Sequence, residues 1–329
     1  MITCALPEIK AVVVQDFTGG IYIDGWNPSL GGPPQVGELV EVEGITDPGD
    51  FAPRVHAVRI TRLGTGELPP PVYPFWDQLI NGSLDTQFVE IQGIVTSVRA
   101  DGVTLLTHGG KINVWLFGTN GGTNGVALKR YEGALIRLRG CLFASWDPAT
   151  HEVRVGEVRM FTPSVTVDEP APVDAFAVTP KRATDLLLFD PQASALRRVK
   201  VSGQIVHEHE GEYYAMDGTN GFRFIPKETV SLGIGDLVEV VGFPSLTGPS
   251  PVLQEALARK IGVAPLPDAR PLDADNSLFR AANDATRVRV EAVLLNLSAD
   301  QRTLELQAGL RRFVARLDGD GRTAAPQPA

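Results

Sequence analysis

The stretch that decides the fold is Gly37-Glu-Leu-Val-Glu-Val-Glu-Gly44, and the chain contains this pattern three times. It returns as Gly133-Ala-Leu-Ile-Arg-Leu-Arg-Gly140 and as Gly235-Asp-Leu-Val-Glu-Val-Val-Gly242. Apolar and polar residues alternate between the two glycines, which is the period of a β-strand with one buried and one solvated face. The closing glycines of successive copies are 96 and 102 residues apart. The spacing predicts a chain of similar modules, each built from strands.

Two further signatures repeat with the first. Phe88-Val-Glu-Ile-Gln-Gly93 returns as Val199-Lys-Val-Ser-Gly203, and Asp16-Phe-Thr-Gly-Gly20 returns as Asp217-Gly-Thr-Asn-Gly221 before another aromatic strand. A third copy of the first of these, Val288-Arg-Val-Glu-Ala292, lacks the glycine. These signatures mark the first strand of a module and the turn between its second and third strands.

The complete second copy predicts the order of strands within a module. Strands are expected near 88–98, 103–107, 112–117, 134–143 and 152–161, with a glycine-rich connector between the third and the fourth. We therefore predict an all-β chain of tandem five-stranded OB-fold-like Greek-key barrels, joined by Pro-rich linkers with short helices. An Ig-like sandwich is the alternative, but it requires about seven strands. Glycines that close the repeated strands are expected at bulges or bends.

Proline-rich segments separate the modules, and each is followed by a short helical pattern. The predicted organisation is a first module at 1–67, a linker at 68–86, a second module at 87–162, a linker at 163–196, a third module at 197–263, a linker at 264–285 and a partial fourth module at 286–329. Met1-Ile-Thr-Cys4 aligns with Ile94-Val-Thr-Ser97. We therefore expect the first module to lack the start of its first strand.

Composition excludes several classes of function. The formal net charge of −9 opposes phosphate backbones, so no nucleic-acid partner is expected. Cys4 and Cys141 are the only cysteines, too few for a disulfide framework or a thiolate-rich metal site. His207-Glu-His-Glu210 offers two metal ligands without a third. No catalytic, cofactor, signal-peptide or membrane-segment pattern is present, and we predict a protein that is not an enzyme and has no cofactor.

The candidate ligand-binding residues lie on the repeated turns and on the third strands. They are Asp16, Thr18, Tyr22, Asp217, Thr219, Arg223 and Trp115. The turns have two interpretations: side chains that cap a hairpin, or a loop that faces a ligand. The aromatic pairs Trp115/Phe117 and Phe222/Phe224 could stack on bases, but core filling is favoured because a barrel wall has one inward face.

Taken together, the segments 14–23, 37–44, 69–71 and 87–95 resemble the repeated OB-like sensory region of large bacterial sensor histidine kinases. The resemblance extends through nearly the whole chain. It implies a non-catalytic, periplasmic region for sensing, ligand binding or scaffolding in signal transduction. The kinase core of the family is absent here, which implies either an excised fragment of a membrane-anchored parent or a protein that has lost the kinase. Its ligand would be a small molecule, a glycan or a protein.

The alternative is a tandem OB-fold protein that binds single-stranded nucleic acid. Aromatic side chains outside the core on strands two and three, with basic neighbours, would favour it.

Overall fold

The computed structural model describes residues 1–26, 33–118, 128–191, 194–246, 248–272, 279–299 and 302–317. The chain divides into two compact units, Met1–Val173 and Asp174–Ala329. Among the described residues, no helix has the length and apolar character needed to cross a membrane.

The first unit begins with an open five-stranded sheet. Its strands are β1 (Ile2–Leu6), β2 (Ala11–Gln15), β3 (Gly20–Asp24), β4 (Glu38–Asp47) and β5 (Arg54–Thr65), with a 3-10 turn at Pro7–Ile9. Their order is β1-β2-β3-β5-β4, in which only the β3–β5 pair is parallel. β1 and β4 form the two edges of this sheet, so it does not close.

A closed barrel completes the first unit. It follows the helix α1 (Trp76–Ile80) and consists of β6 (Phe88–Val98), β7 (Gly102–Leu106), β8 (Lys111–Phe117), β9 (Leu135–Trp146) and β10 (Val153–Glu169). A 3-10 turn at Lys129–Tyr131 precedes β9. The order is β10-β8-β7-β6-β9, and the parallel pairing of β8 with β10 closes the ring. Alternate side chains, including Val89, Leu105 and Leu138, point inward and are fully buried.

The second unit contains a barrel of the same design. Its strands are β11 (Val199–His209), β12 (Glu212–Asp217), β13 (Asn220–Pro226), β14 (Asp236–Ser245) and β15 (Val252–Val263). They are ordered β11-β12-β13-β15-β14, again closed by a parallel pair, β13 with β15. Five strands in this order confirm the all-β, OB-fold-like class. The Ig-like sandwich is thereby excluded.

Short elements surround the second barrel. They are 3-10 turns at Ala175–Ala177, Ala183–Leu187 and Ala281–Asn283, the parallel pair β16 (Arg270–Pro271) and β17 (Val288–Arg289), and a three-stranded sheet of β18 (Val293–Leu297), β19 (Thr303–Ala308) and β20 (Arg311–Arg316). The module boundaries given above stay predictions. One predicted linker starts inside a strand, because β10 continues past residue 162 and pairs with β9 as far as Glu169.

The repeated closing glycines lie opposite bulges in the following strand. The register of the next strand slips beside Gly44, Gly140 and Gly242. A Cβ added at Gly140 would lie 2.9 Å from the Phe161 carbonyl oxygen, and one added at Gly242 would lie 2.9 Å from the Gln254 carbonyl oxygen. None of the three glycines has a positive φ. The signature therefore encodes a close approach of two backbones at the bend of the sheet.

Candidate functional site

The outer surface of β8 carries aromatic side chains. Ile112, Val114 and Leu116 fill the barrel, whereas Trp115 is half-buried and Phe117 is 38% exposed on the opposite face. The prediction that Trp115 and Phe117 fill the core is therefore wrong.

Both faces of β8 carry large apolar residues, so the alternation of apolar residues alone cannot tell which face points inward. Lys111 and Asn113 share the spacing of Trp115 and Phe117, and these polar residues were the signal of an outward face. In the second barrel the core-filling prediction is confirmed, because Phe222 and Phe224 are fully buried.

We call the outer surface formed by Arg99, Trp115, Phe117, Arg159 and Phe161 the aromatic face. The Arg99 guanidinium lies over the Trp115 ring at 5.5 Å. The parallel pairing of β8 with β10 places Arg159 beside Trp115 and Phe161 beside Phe117. The rings of Phe117 and Phe161 stack with centroids 4.7 Å apart. The face thus combines flat apolar groups with cations, the chemistry that binds stacked bases.

A row of hydroxyl and amide groups adjoins the aromatic face. The Ser97 hydroxyl donates to the Thr104 Oγ1 atom at 3.0 Å, and the Thr104 hydroxyl donates to the Asn113 Oδ1 atom at 2.8 Å. The row crosses the first three strands of the barrel. It holds the side-chain oxygen of Asn113 and so orients its NH2 group as a hydrogen-bond donor.

The guanidinium of Arg159 makes its contacts with groups of the barrel. Its Nη2 atom donates to the Ala144 carbonyl at 2.8 Å, and the guanidinium lies 6.0 Å from the Phe143 ring. Burial lowers the pKa of Arg159, while the charge of Asp85 raises it. An arginine stays protonated under such a shift. Burial also raises the pKa of Asp85, whose carboxylate accepts a hydrogen bond from the Ala144 amide.

The aromatic face continues into the contact between the open sheet and the first barrel. Phe161 meets Phe143 edge-on at 4.9 Å, and Phe143 meets Tyr22 of β3 edge-on at 6.2 Å. Burial raises the pKa of the Tyr22 phenol. Among the predicted site residues, Tyr22 is therefore connected through ring contacts to Phe117 on the aromatic face, two residues from Trp115.

The Asp and Thr side chains of the first repeated turn bond within that turn, whereas Asp217 in the second copy bonds a different segment. The Thr18 amide donates to the Asp16 Oδ1 atom at 2.7 Å and the Thr18 hydroxyl at 2.5 Å, and the hydroxyl bond is the main cause of the lowered pKa of Asp16. In the second barrel, Asp217 Oδ2 accepts from the Ala183 amide at 3.0 Å. Thr219 is exposed. The first turn is capped as the hairpin interpretation expects, whereas Asp217 caps the start of the 3-10 turn at Ala183–Leu187 and not its own hairpin.

Arg223 lies on the outer surface of β13 and is engaged by its neighbours. Its Nη1 atom is 3.3 Å from Glu212 Oε1, and its Nε atom donates to the Ser250 hydroxyl at 3.2 Å. On β11, which is separated from β13 by β12, His207 and His209 stack with ring centroids 6.4 Å apart. No group of three or more His, Cys, Asp or Glu side chains within the described ranges could hold a metal ion.

Comparisons with known proteins give only distant matches. No family model and no curated protein matches this chain. The crystal structure of the tetrameric p202 HIN2 is 14% identical, with 53% of this chain and 94% of that chain covered, at a TM-score of 0.22. The Ifi202 HINa domain in complex with 20bp dsDNA is 10% identical, with 52% and 95% covered, at 0.21. A multidomain protein with nucleic acid binding domains from Streptococcus pneumoniae TIGR4 is 11% identical, with 83% and 75% covered, at 0.16.

These matches contradict the expectation that nucleic acid is not a partner, since two of the matched structures are described by their binding of nucleic acid. The expectation came from the net charge of −9, which is a sum over the whole chain. On and beside the aromatic face, the cations Arg99, Lys111 and Arg159 lie among the acids Asp85, Asp101 and Glu157, so the local charge is balanced and not strongly negative. Local charge and ring stacking decide contact with a nucleic acid.

Proposed function

We propose that this protein binds single-stranded nucleic acid through the aromatic face. The observation that carries the proposal is the outward orientation of Trp115 and Phe117, with Arg99 over the Trp115 ring. OB barrels bind oligonucleotides on the face of strands two and three, which are β7 and β8 in this barrel. The aromatic face includes β8 and its parallel neighbour β10.

Each residue of the face has a distinct role in this proposal. Trp115 and Phe117 are two residues apart on one strand, roughly 7 Å, and offer platforms for two successive unstacked bases. Arg99 and Arg159 supply cations beside the first platform. Asn113 supplies a hydrogen-bond donor to a base edge.

Stacking, not counterion release, carries most of the affinity in this mechanism. Three cations near the face give a slope of log K against log salt of about −2, at about −0.7 per phosphate neutralised on a single strand. A shallow slope separates this mode of binding from a basic groove, which would show a much steeper one.

Fluorescence anisotropy of a labelled single-stranded oligonucleotide at about 0.15 M salt tests the proposal. Loss of one stacking platform costs about 1–3 kcal/mol, so Trp115→Ala is expected to raise Kd by roughly 5- to 150-fold. Phe17→Ala is the matched control, because Phe17 is 99% exposed and lies away from the aromatic face, in the turn between β2 and β3. Wild-type affinity in the Trp115→Ala variant, with an intact far-UV spectrum, would show that the aromatic face is not the site.

The sensory function stays a prediction that no comparison supports. A groove of about 770 Å³ in the first unit would suit its small-molecule ligand; Pro69, Pro70, Phe88 and Tyr131 are among the residues that line it. If the protein binds the oligonucleotide and Trp115→Ala leaves Kd unchanged, this groove is the next candidate for the binding site.

A further inference from the structure

The only two cysteines of the chain meet at the contact between the open sheet and the first barrel. Cys4 lies on β1 and Cys141 lies on β9, 137 residues further along the chain. Both side chains are fully buried, and they share one cluster with Val13 and Phe143. Random placement of two cysteines in 329 residues rarely brings them together in one cluster.

The two thiols belong to one buried cluster, at which β1 packs against β9. Burial first, and then the neighbouring Cys4, raise the pKa of Cys141 well above the usual range of a thiol. A buried, protonated thiol reacts slowly with external reagents. A bond between the two sulfurs would therefore form during folding or a local opening of the interface, and it would then be protected.

We propose that Cys4 and Cys141 form a reversible disulfide that joins the open sheet to the first barrel when a small-molecule disulfide is present as oxidant. One cysteine thiolate attacks the oxidant's S–S bond, which yields a mixed disulfide and one small thiol. The second cysteine thiolate then attacks the mixed disulfide and displaces the second small thiol. The two cysteines lose two protons and two electrons, and the oxidant gains them.

The bond would close a loop that contains the whole open sheet, α1 and three strands of the barrel. Closing so long a loop restricts the unfolded chain more than it restricts the folded one, so the oxidised protein should resist unfolding better. The cluster that leads from Tyr22 to the aromatic face passes through Phe143, two residues from Cys141. Oxidation would thus hold the contact that borders the proposed binding site.

The experiment compares the full chain refolded from urea with excess glutathione disulfide against the same chain refolded with dithiothreitol. The expected product is a monomer without free thiols, in which a peptide map links the segments that contain Cys4 and Cys141. Its urea midpoint, followed by tryptophan fluorescence, should be higher and should return to the reduced value on adding dithiothreitol. All four tryptophans lie in the first unit, so the fluorescence reports the unfolding of the unit that contains both cysteines.

Cys141→Ala is the matched control, and its urea midpoint should not respond to the oxidant. Should that variant fail to fold, the comparison of oxidised with reduced wild type still decides. Two free thiols after refolding in oxidant, a disulfide between two chains, or an oxidised monomer with a lower midpoint would each overturn the proposal.

Discussion

Gly242→Ala tests whether the repeated glycines are required by the close approach of two strands. The added Cβ would lie 2.9 Å from the Gln254 carbonyl oxygen and 3.0 Å from the Leu253 Cβ atom, whereas ordinary contact begins at 3.4 Å. The strands β14 and β15 must therefore separate by about 0.5 Å at the bulge, an overpacking that costs about 1–3 kcal/mol. The restricted unfolded chain of alanine returns about 0.4–1 kcal/mol. The midpoints of these two ranges leave a net loss of about 1.3 kcal/mol from the second barrel, within limits of about 0 and 2.6 kcal/mol.

Gly262→Ala is the matched control in the same sheet. A Cβ at Gly262 would meet the Leu237 Cδ1 atom at 3.4 Å, an ordinary contact, and the residue has no positive φ. The free energy of unfolding of Gly262→Ala should equal that of the wild type or exceed it by about 0.4–1 kcal/mol.

Native-state hydrogen exchange of β14 and β15 is the assay, with peptides of the first unit as the internal standard. A loss of one to two kcal/mol raises the opening equilibrium by roughly 5- to 30-fold. Gly262→Ala should stay near the wild-type value. If both variants exchange alike, the bulge does not demand glycine and the structural account of the repeat fails.

Two further predictions concern the electrostatics of the second barrel and the contacts of the first unit. The pKa of Asp236 is lowered mainly by its hydrogen bond with Lys260 Nζ, so the stability it supplies is present above its unfolded pKa of 3.8 and is lost as the pH falls through its lower folded pKa. Asp236→Asn should therefore destabilise the second barrel at about pH 7, as followed by hydrogen exchange of β14, and destabilise it progressively less as the pH falls below 3.8; an equal loss at every pH would refute the assignment. Phe51 stacks on Trp146 with centroids 5.7 Å apart, and Phe51→Ala should cost about 0.5–1.5 kcal/mol beyond lost burial and red-shift the tryptophan emission. An unchanged spectrum would show that the stack does not persist in solution.

The all-β fold could be predicted from the sequence because its signals are local. The alternation from Gly133 to Gly140 specifies a strand by itself, and three copies of it specify three similar modules. The glycine at the end of each copy predicts a bend, although only the structure shows that the bulge lies in the partner strand. The turn at Asp16 and Thr18 was also local, since its hydrogen bonds join residues two apart.

The candidate site depended on contacts that no local pattern records. Lys111 and Asn113 were a local signal that Trp115 and Phe117 point outward, but both faces of β8 carry large apolar residues and the closure of the barrel decided the orientation. The neighbours Arg159 and Phe161 came to that face through the parallel pairing of β8 with β10, across a connection of more than thirty residues. Cys4 and Cys141 also lie together because of tertiary structure, since the packing of β1 against β9 brings them into one cluster. Alternation sets which residues share a face of a strand, but the register between distant strands sets what each face touches, and that register exists only in the folded chain.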